Sequence, residues 1–417
     1  MSKLTRTEKS WVMYDWANSA YTLTVTTTIL PLYFKYVAGQ AGVGASDSTA
    51  YLGYANSIST LILAILAPIL GTIADYRGYK KKFFIFFFGM GIVFTALLSI
   101  IPSYLWILLL VFYVITAMGF SGSCTFYDAF LVDVTEKERM DKVSTNGFAW
   151  GYIGSTIPFI VCMAVVYMSQ KNILPISFTA ASQISFIITA LWWLVFTIPM
   201  LKDVKQIYGI EREPHPVINS FMRIGHTFKN IRHHSGAFLF LLAYFFYIDG
   251  VDTIIKMATA YGSDMGIDSL TLLLILLVTQ FVAFPFALLY GKLSERFRGK
   301  TMLYVGISMY IFICIYAYFL RTETDYWILA MLVGTSQGGL QALSRSYFSK
   351  LVPKENSNEF FGFYNIFGKF AAIMGPAMVG FITQVTGRVN NGVFSLIILF
   401  IIGGLVLTRV PMEKTEL

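Results

Sequence analysis

Long apolar blocks, separated by short polar and basic breaks, run the whole length of the chain. A transmembrane helix takes about 20 mainly apolar residues. Twelve blocks meet that requirement, at 11–37, 50–74, 83–101, 104–131, 143–168, 177–201, 236–261, 269–291, 301–321, 326–348, 359–384 and 392–410. One break, roughly residues 202–235, is far longer than the others. The pattern predicts an all-α membrane protein of twelve transmembrane helices in two six-helix halves, 1–201 and 236–417, joined by a linker over 202–235. Inside the linker, "VINSFMRIGHTFKNIRHH" sets apolar side chains at 218, 221, 224, 228 and 231, a helical period. Arg223, Lys229 and Arg232 fall on the opposite face, so this segment is expected to lie along the membrane surface as an amphipathic helix.

Composition agrees with the pattern. Of the 417 residues, 56% are hydrophobic and 13% charged, against about 25% charged in a soluble domain. One water-soluble core could not hide so much apolar surface. The net charge of +8 would suggest nucleic acid in a soluble protein. Here the basic residues sit in the breaks between spans, where the positive-inside rule accounts for them, and no nucleic-acid partner is expected. With the N-terminus inside, the outer breaks hold Lys35, Lys171, Arg321 and Arg388, while Lys256 and Lys369 fall within spans. Both termini are therefore expected in the cytoplasm. The basic start "MSKLTRTEKSW" leads into an apolar segment with no small-residue cleavage site, which reads as a retained first helix.

Several chemistries find no support. Cys124, Cys162 and Cys314 lie inside apolar blocks without zinc-ligand spacing, so no disulfide framework, metal or other cofactor is expected. "RGKT" at 298–301 imitates the end of a phosphate-binding loop, but Ser294 stands where the first glycine belongs and no strand precedes it. All four histidines (His215, His226, His233, His234) are in the linker. That leaves none in the membrane for a proton relay. With no paired metal ligands and no serine in a nucleophile context, an intramembrane enzyme is not expected.

An internal repeat supports duplication. After the second span comes "GTIADYRGYKKK", with Gly71, Asp75, Arg77, Gly78 and Lys80; after the eighth comes "GKLSERFRGK", with Gly291, Glu295, Arg296, Gly299 and Lys300. Each is a glycine, three residues, an acid and a short basic turn. Twelve spans in two halves with this turn after spans two and eight resemble the major facilitator superfamily. "YDWANSAY" in span one, "FYIDGVDTI" in span seven and "GTSQGGLQALSRSYFSKLVP…NEFFGFYNIFGKFAAIMGP" across spans ten and eleven resemble, more narrowly, the vacuolar amino-acid effluxer family known from autophagy and its bacterial relatives. The resemblance implies the major facilitator fold and a secondary permease, with amino-acid efflux in the fungal members. Fungal members carry longer loops than this compact chain, which favours the bacterial branch and an inner (plasma) membrane location.

The superfamily resemblance also implies that spans one, four, seven and ten line the central path. The polar residues agree: Asp15, Asn18, Thr22 and Thr26 in span one; Ser121, Cys124, Thr125 and Asp128 in span four; Asp249, Asp252 and Lys256 in span seven; Gln337, Gln341 and Arg345 in span ten. A charge at the bilayer centre costs at least about 2.5–3.5 kcal/mol, so such residues normally face a bundle interior. Asp249, Asp252 and Lys256 step by three and four and share one helix face; Asn365 and Lys369 step by four in span eleven. At 1.5 Å per residue, Asp249 lies roughly 20 Å into its span and Lys369 roughly 15 Å into its own, with Gln337 at a similar level near the midplane.

Two sets of roles are expected. Asp249, Lys369, Gln337, Asn365, Gln341, Asn18, Asp15 and Tyr247 are the substrate- or ion-binding candidates, with Trp150 and Tyr244 as further contacts. An acid and an amine at one depth suit the two charges of a zwitterion; the plainer alternative is that Asp249 and Lys369 pair with each other. Asp249, if unpaired in one state, would carry a coupling proton. Gating falls to Asp128 bridging to Arg345 at the inner ends of spans four and ten. Asp133 reads as ordinary interfacial charge. Asp252 and Lys256 complete the gating set, four residues apart and, on the simplest reading, mutually neutralising. Gly71, Asp75, Arg77, Gly78, Gly291, Glu295 and Arg296 form the conformational turns. The expected partners are a small polar solute, a coupling proton and the bilayer, with the chain acting as a monomer. An exporter of lipophilic drugs or lipids, or a solute sensor without turnover, is the alternative.

Overall fold

A computed structural model describes residues 3–212, 219, 222–223 and 235–411. Its first helix, α1, opens on a capping box: Thr5 Oγ1 accepts from Glu8 N–H and Glu8 returns the bond to Thr5 N–H. It runs from Arg6–Ala20 through a π-helical stretch, Tyr21–Ile29, into Leu30–Gln40. There follow α2 (Ala45–Ala74), α3 (Tyr79–Leu97), α4 (Trp106–Ala129), α5 (Met140–Gln170) and α6 (Phe178–Asp203). The second set is α7 (Ser235–Asp264), α8 (Ser269–Ser294), α9 (Gly299–Tyr318), α10 (Glu323–Leu351), α11 (Ser357–Thr386) and α12 (Val389–Ser395 with Ile397–Thr408). Each expected span thus has its helix.

Among the described residues, ten of these helices are long and apolar enough to cross a membrane; α1 and α10 are not in that set. Those two carry polar side chains through their central turns, Asn18, Thr22 and Thr26 in one and Gln337, Gln341 and Arg345 in the other. Prolines 68, 158, 199, 285 and 376 all sit inside helices, which neighbouring helices make tolerable in a bilayer. Buried hydroxyls mostly bond back to their own helix. Thr95, Thr189, Thr197 and Ser344 each donate to the carbonyl four residues earlier.

The buried apolar side chains form two cores, one running from Trp11 to Val204 and one from Ala237 to Val410 with Ala129. Between them run two seams, α2 and α4 against α11, and α5 against α8 and α10. Both described chain ends and the start of the linker lie at one end of the bundle, called here the linker end. Past α6, Ile210 bridges to Tyr76, so the first linker residues run along the turn between α2 and α3. The expected surface helix over 218–231 and the four histidines lie outside the described residues, apart from Asn219, Met222 and Arg223.

Candidate functional site

Arg345, near the linker end of α10, is 3% exposed and is held from three helices of the opposite half. Its Nη1 donates to Asp128 Oδ1 on α4 at 2.9 Å and its Nη2 to Asp15 Oδ2 on α1 at 3.1 Å. Nε donates to Ser144 Oγ at 2.9 Å, and Nη2 also to the Ser144 carbonyl at 3.0 Å, both on α5. Trp11 and Phe148 put their rings 4.6 Å from the guanidinium carbon, and Tyr127 adds a third face. The expected Asp128–Arg345 bridge is therefore formed. Asp15, expected among the binding candidates, also bonds Arg345: its early position in α1 sets it level with the last turns of α4 and α10.

More ties flank the Arg345 cluster. Ser144 Oγ donates to the Ala342 carbonyl, Ser346 Oγ and Lys350 Nζ to Asp141, and Lys80 Nζ both to Asp133 at 2.6 Å and to Ser357 Oγ at 3.0 Å. Sequence reasoning placed Lys80 in the repeated turn without seeing its tie, and missed Asp141, Ser346 and Lys350. It also took Asp133 for interfacial charge, whereas its side chain is fully buried; the second oxygen, Oδ1, accepts the Ile207 and Tyr208 N–H groups of the linker. Helical phase was the available signal. Lys80 stands in register with the buried Phe84, Phe87 and Phe88, while Lys82 points away.

The turns differ between halves. Gly71 brings α2 against the start of α11, where a Cβ would strike the Asn358 backbone. Asp75 is fully buried and accepts from the N–H groups of Asn358 and Glu359, from the Asn358 amide and from Arg223. Gly78 adopts φ +81°, the left-handed region glycine favours, and Arg77 Nε donates to the Gly209 carbonyl. In the second copy, Gly291 faces the Thr145 side chain, Glu295 is 42% exposed beside Lys142, and Arg296 lies over Phe297.

The midplane group divides. Lys369 is half-buried on α11 and reaches across to the other half, donating to Ser121 Oγ on α4 at 2.9 Å; Asp252 lies within electrostatic range of it. Asp249 does not pair with Lys369. It is fully buried in the α7–α11 contact, where Oδ1 accepts from Gly375 N–H at 2.9 Å and from Thr253, while Oδ2 has no partner. Gly375 lets the two helices close on that carboxylate: a Cβ there would meet Thr253 and Asp249.

Tyr247, expected to touch ligand, is fully buried with its hydroxyl 2.7 Å from Ser344 Oγ, inside the α7–α10 packing. Tyr244 stacks on Tyr364. No ion pair joins Asp252 to Lys256 among the described residues; the first is half-buried and the second exposed. Asn365 and Gln341 are half-buried, Gln337 and Asn18 nearly fully so, and Asn18 Nδ2 lacks a partner. Trp150 is 40% exposed between Trp16 and Phe284.

Residues 5–136 and 132–416 match the family described as "Vacuole effluxer Atg22 like". The chain is similar to the uncharacterized MFS-type transporter YxiO of Bacillus subtilis (strain 168), 63% identical over all of this chain and 97% of that one. It is also similar to autophagy-related protein 22 of Kluyveromyces lactis, at 23% identity over 95% and 91% of the two chains. Among solved structures, it resembles the transporter FucP in the outward conformation (TM-score 0.72, 15% identity, 98% of both chains). The proton:xylose symporter XylE gives a TM-score of 0.70 at 15% identity, over 98% of this chain and 96% of that one.

Proposed function

This chain belongs to the Atg22-like vacuole effluxer family and is an MFS-type transporter; on that footing we propose that it moves a small polar solute carrying both an amine and a carboxylate, with an amino acid as the first case. Transport would proceed by alternating access, with both termini in the cytoplasm of a bacterial inner membrane. The observation that carries the reading is the unequal sealing of the bundle. Charged bonds between the halves cluster at the linker end, around Arg345, Asp75, Lys80 and Asp141. Above that seal, Lys369 stays half-exposed and reaches only a neutral hydroxyl in the opposite half.

Each group then has a task. Lys369 would hold the substrate carboxylate, and Asp252, Asn365 and Gln341 its polar remainder. Two carboxylates, Asp15 and Asp128, share the Arg345 guanidinium. The gate therefore carries one excess negative charge, which a substrate ammonium or a coupling proton would neutralise. Neutralisation weakens the hold on Arg345, and the linker end can then part. A carrier of purely lipophilic solutes would have no use for a lysine at this depth, since an unneeded intramembrane charge is only a penalty.

The test is uptake and counterflow of a mixed amino-acid panel in proteoliposomes, with wild type, Lys369→Ala and Asp252→Asn. Saturable flux in the wild type, lost in Lys369→Ala at unchanged protein yield and melting temperature, is the expected result. Absence of flux for every amino acid in the wild type overturns the substrate class. Full flux in Lys369→Ala removes that lysine from the site.

A further inference from the structure

A basic surface at the linker end of α3 and α6 takes no part in the gate. Along α3, Phe86 and Val93 are exposed and continue at helical spacing to Lys82; along α6, Leu191, Val195 and Ile198 lead in the same way to Lys202. Exposed apolar stripes on membrane helices face lipid, so both lysines stand where acyl chains give way to headgroups. The two helices are neighbours: Phe88 and Trp193 meet edge to face at 5.8 Å. Lys81 Nζ donates to the Leu201 and Val204 carbonyls, clasping the end of α6 to α3.

The linker completes the surface. Arg212 and Lys82 both lie over the Tyr79 ring, at 5.7 and 4.9 Å, and Lys205 lies within electrostatic range of Lys81. Between them Ile207 is 63% exposed, an apolar side chain turned outward beside four exposed cations. Of the acids nearby, Asp203 is consumed by Arg6 at 2.8 Å and by Ser10 at 2.7 Å, which leaves Glu211 against the cluster. The positive-inside rule explains basic residues at this end. It does not explain their gathering at one helix pair around a ring and an outward isoleucine.

We infer that Lys82, Lys202, Lys205 and Arg212 bind the phosphate of an anionic membrane lipid, with Ile207 and the α3 and α6 stripes against its acyl chains. The site adjoins the seal. Gln206, between Lys205 and Ile207, accepts from the Gly78 and Lys80 N–H groups and donates back to carbonyls of the same turn. A lipid that fixes Lys205 therefore also fixes the strap on that turn.

The test does not depend on the transported solute. Purified full-length protein is titrated with phosphatidylglycerol or phosphatidylcholine, and lipid retention is read by native mass spectrometry. Wild type should prefer the anionic lipid. The variant Lys82→Gln/Lys202→Gln/Lys205→Gln/Arg212→Gln should lose that preference, by about fivefold per removed charge. These side chains are exposed, so the fold is not at stake. A variant with four charges removed at the opposite end (Lys35, Lys171, Arg321 and Arg388, each to Gln) should keep it. Equal loss in both variants, no loss in the first, or full displacement of phosphatidylglycerol by millimolar inorganic phosphate would each overturn the assignment.

Discussion

The turn after α2 and the turn after α8 carry the same pattern of glycine, acid and basic residues, and both face the seam between the halves. At the first, Asp75 is fully buried and closes four hydrogen-bonding contacts on the start of α11 and on Arg223. At the second, Glu295 is 42% exposed and meets Lys142 at 3.5 Å. The across-seam work there has moved to Asp141, which holds Ser346 and Lys350 from the first turn of α5. One motif thus yields a dry latch in one half and a wet contact in the other. The linker explains part of the difference, because Gln206 and Arg223 cover the first turn. A seal so built should part at the α5–α8 seam before the α2–α11 seam.

The largest effect expected is that of Asp75→Ala. It strips the start of α11 of its acceptor and leaves Arg223 facing Glu359 alone. Removal of one partner from a buried charged contact costs about 3–5 kcal/mol, whereas Glu295→Ala should cost about 0–1 kcal/mol, as exposed pairs do. Thermal unfolding in micelles reports the totals. Thiol labelling at Ser349→Cys, a position 2% exposed at the linker end, in a background without the native cysteines, reports the seal. Equal shifts for the two alanine variants would break the comparison.

The same carboxylate gives the latch a pH signature. Burial raises Asp75 to about 7, against the opposing pull of Arg223 and Asn358, with Glu359 adding to the rise and Lys80 to the pull. A raised acid binds its proton more tightly in the closed form. Its contribution is complete below the ordinary carboxylate range and is lost as pH climbs through about 7. Ser349→Cys labelling, taken relative to a fully exposed cysteine at each pH so that thiol ionisation cancels, should therefore increase from pH 5 to pH 8, and Asp75→Asn should flatten that rise. A rise unchanged in Asp75→Asn would place the titration elsewhere.

A smaller contrast lies in the glycines. A Cβ at position 71 would strike the Asn358 backbone, which cannot rotate away, so Gly71→Ala forces α2 and α11 apart at overpacking's usual cost of about 1–3 kcal/mol. At position 291 the nearest obstacle is the Thr145 hydroxyl, a side-chain atom that can turn at the cost of its bonds to the Asp141 and Lys142 carbonyls rather than a fixed backbone. Gly291→Ala should melt within about 1 kcal/mol of wild type. The reverse order would mean that the second turn is the tighter of the two.

Much of this was legible in the sequence, for reasons that also mark the limit. Twelve spans and the duplicated turn follow from periodicities that each helix imposes on its own residues. Of the contacts between the halves, common depth at the inner ends picked out the Asp128–Arg345 bridge; the rest do not follow from depth. Asp249 and Lys369 stand at comparable depth in the sequence, yet Gly375 lets α11 close on Asp249 while Lys369 turns to Ser121. Depth fixes height along the membrane normal and leaves open which way a side chain turns. The Asp15–Arg345 bond escaped for the same reason: nothing within the first span says that Asp15 turns toward a residue of the other half. Only Lys80 carried a neglected local signal, its phase with Phe84 and Phe87.

The smallest effect is expected from Glu295→Gln, and it sharpens the comparison most. The substitution keeps size and exposure and removes one charge from a contact of 3.5 Å; in the sealed conformer its effect on melting should stay within about 0.5 kcal/mol. Asp75→Asn should exceed it, since an amide cannot accept at both oxygens as that carboxylate does. The informative readout is Ser349→Cys labelling under turnover, once a substrate is in hand. If Glu295→Gln leaves labelling unchanged at rest and during transport, the second turn is a spacer in both conformers. If labelling changes only during transport, Glu295 makes its bonds after the α5–α8 seam has opened, and the two turns are latches for opposite ends of one cycle.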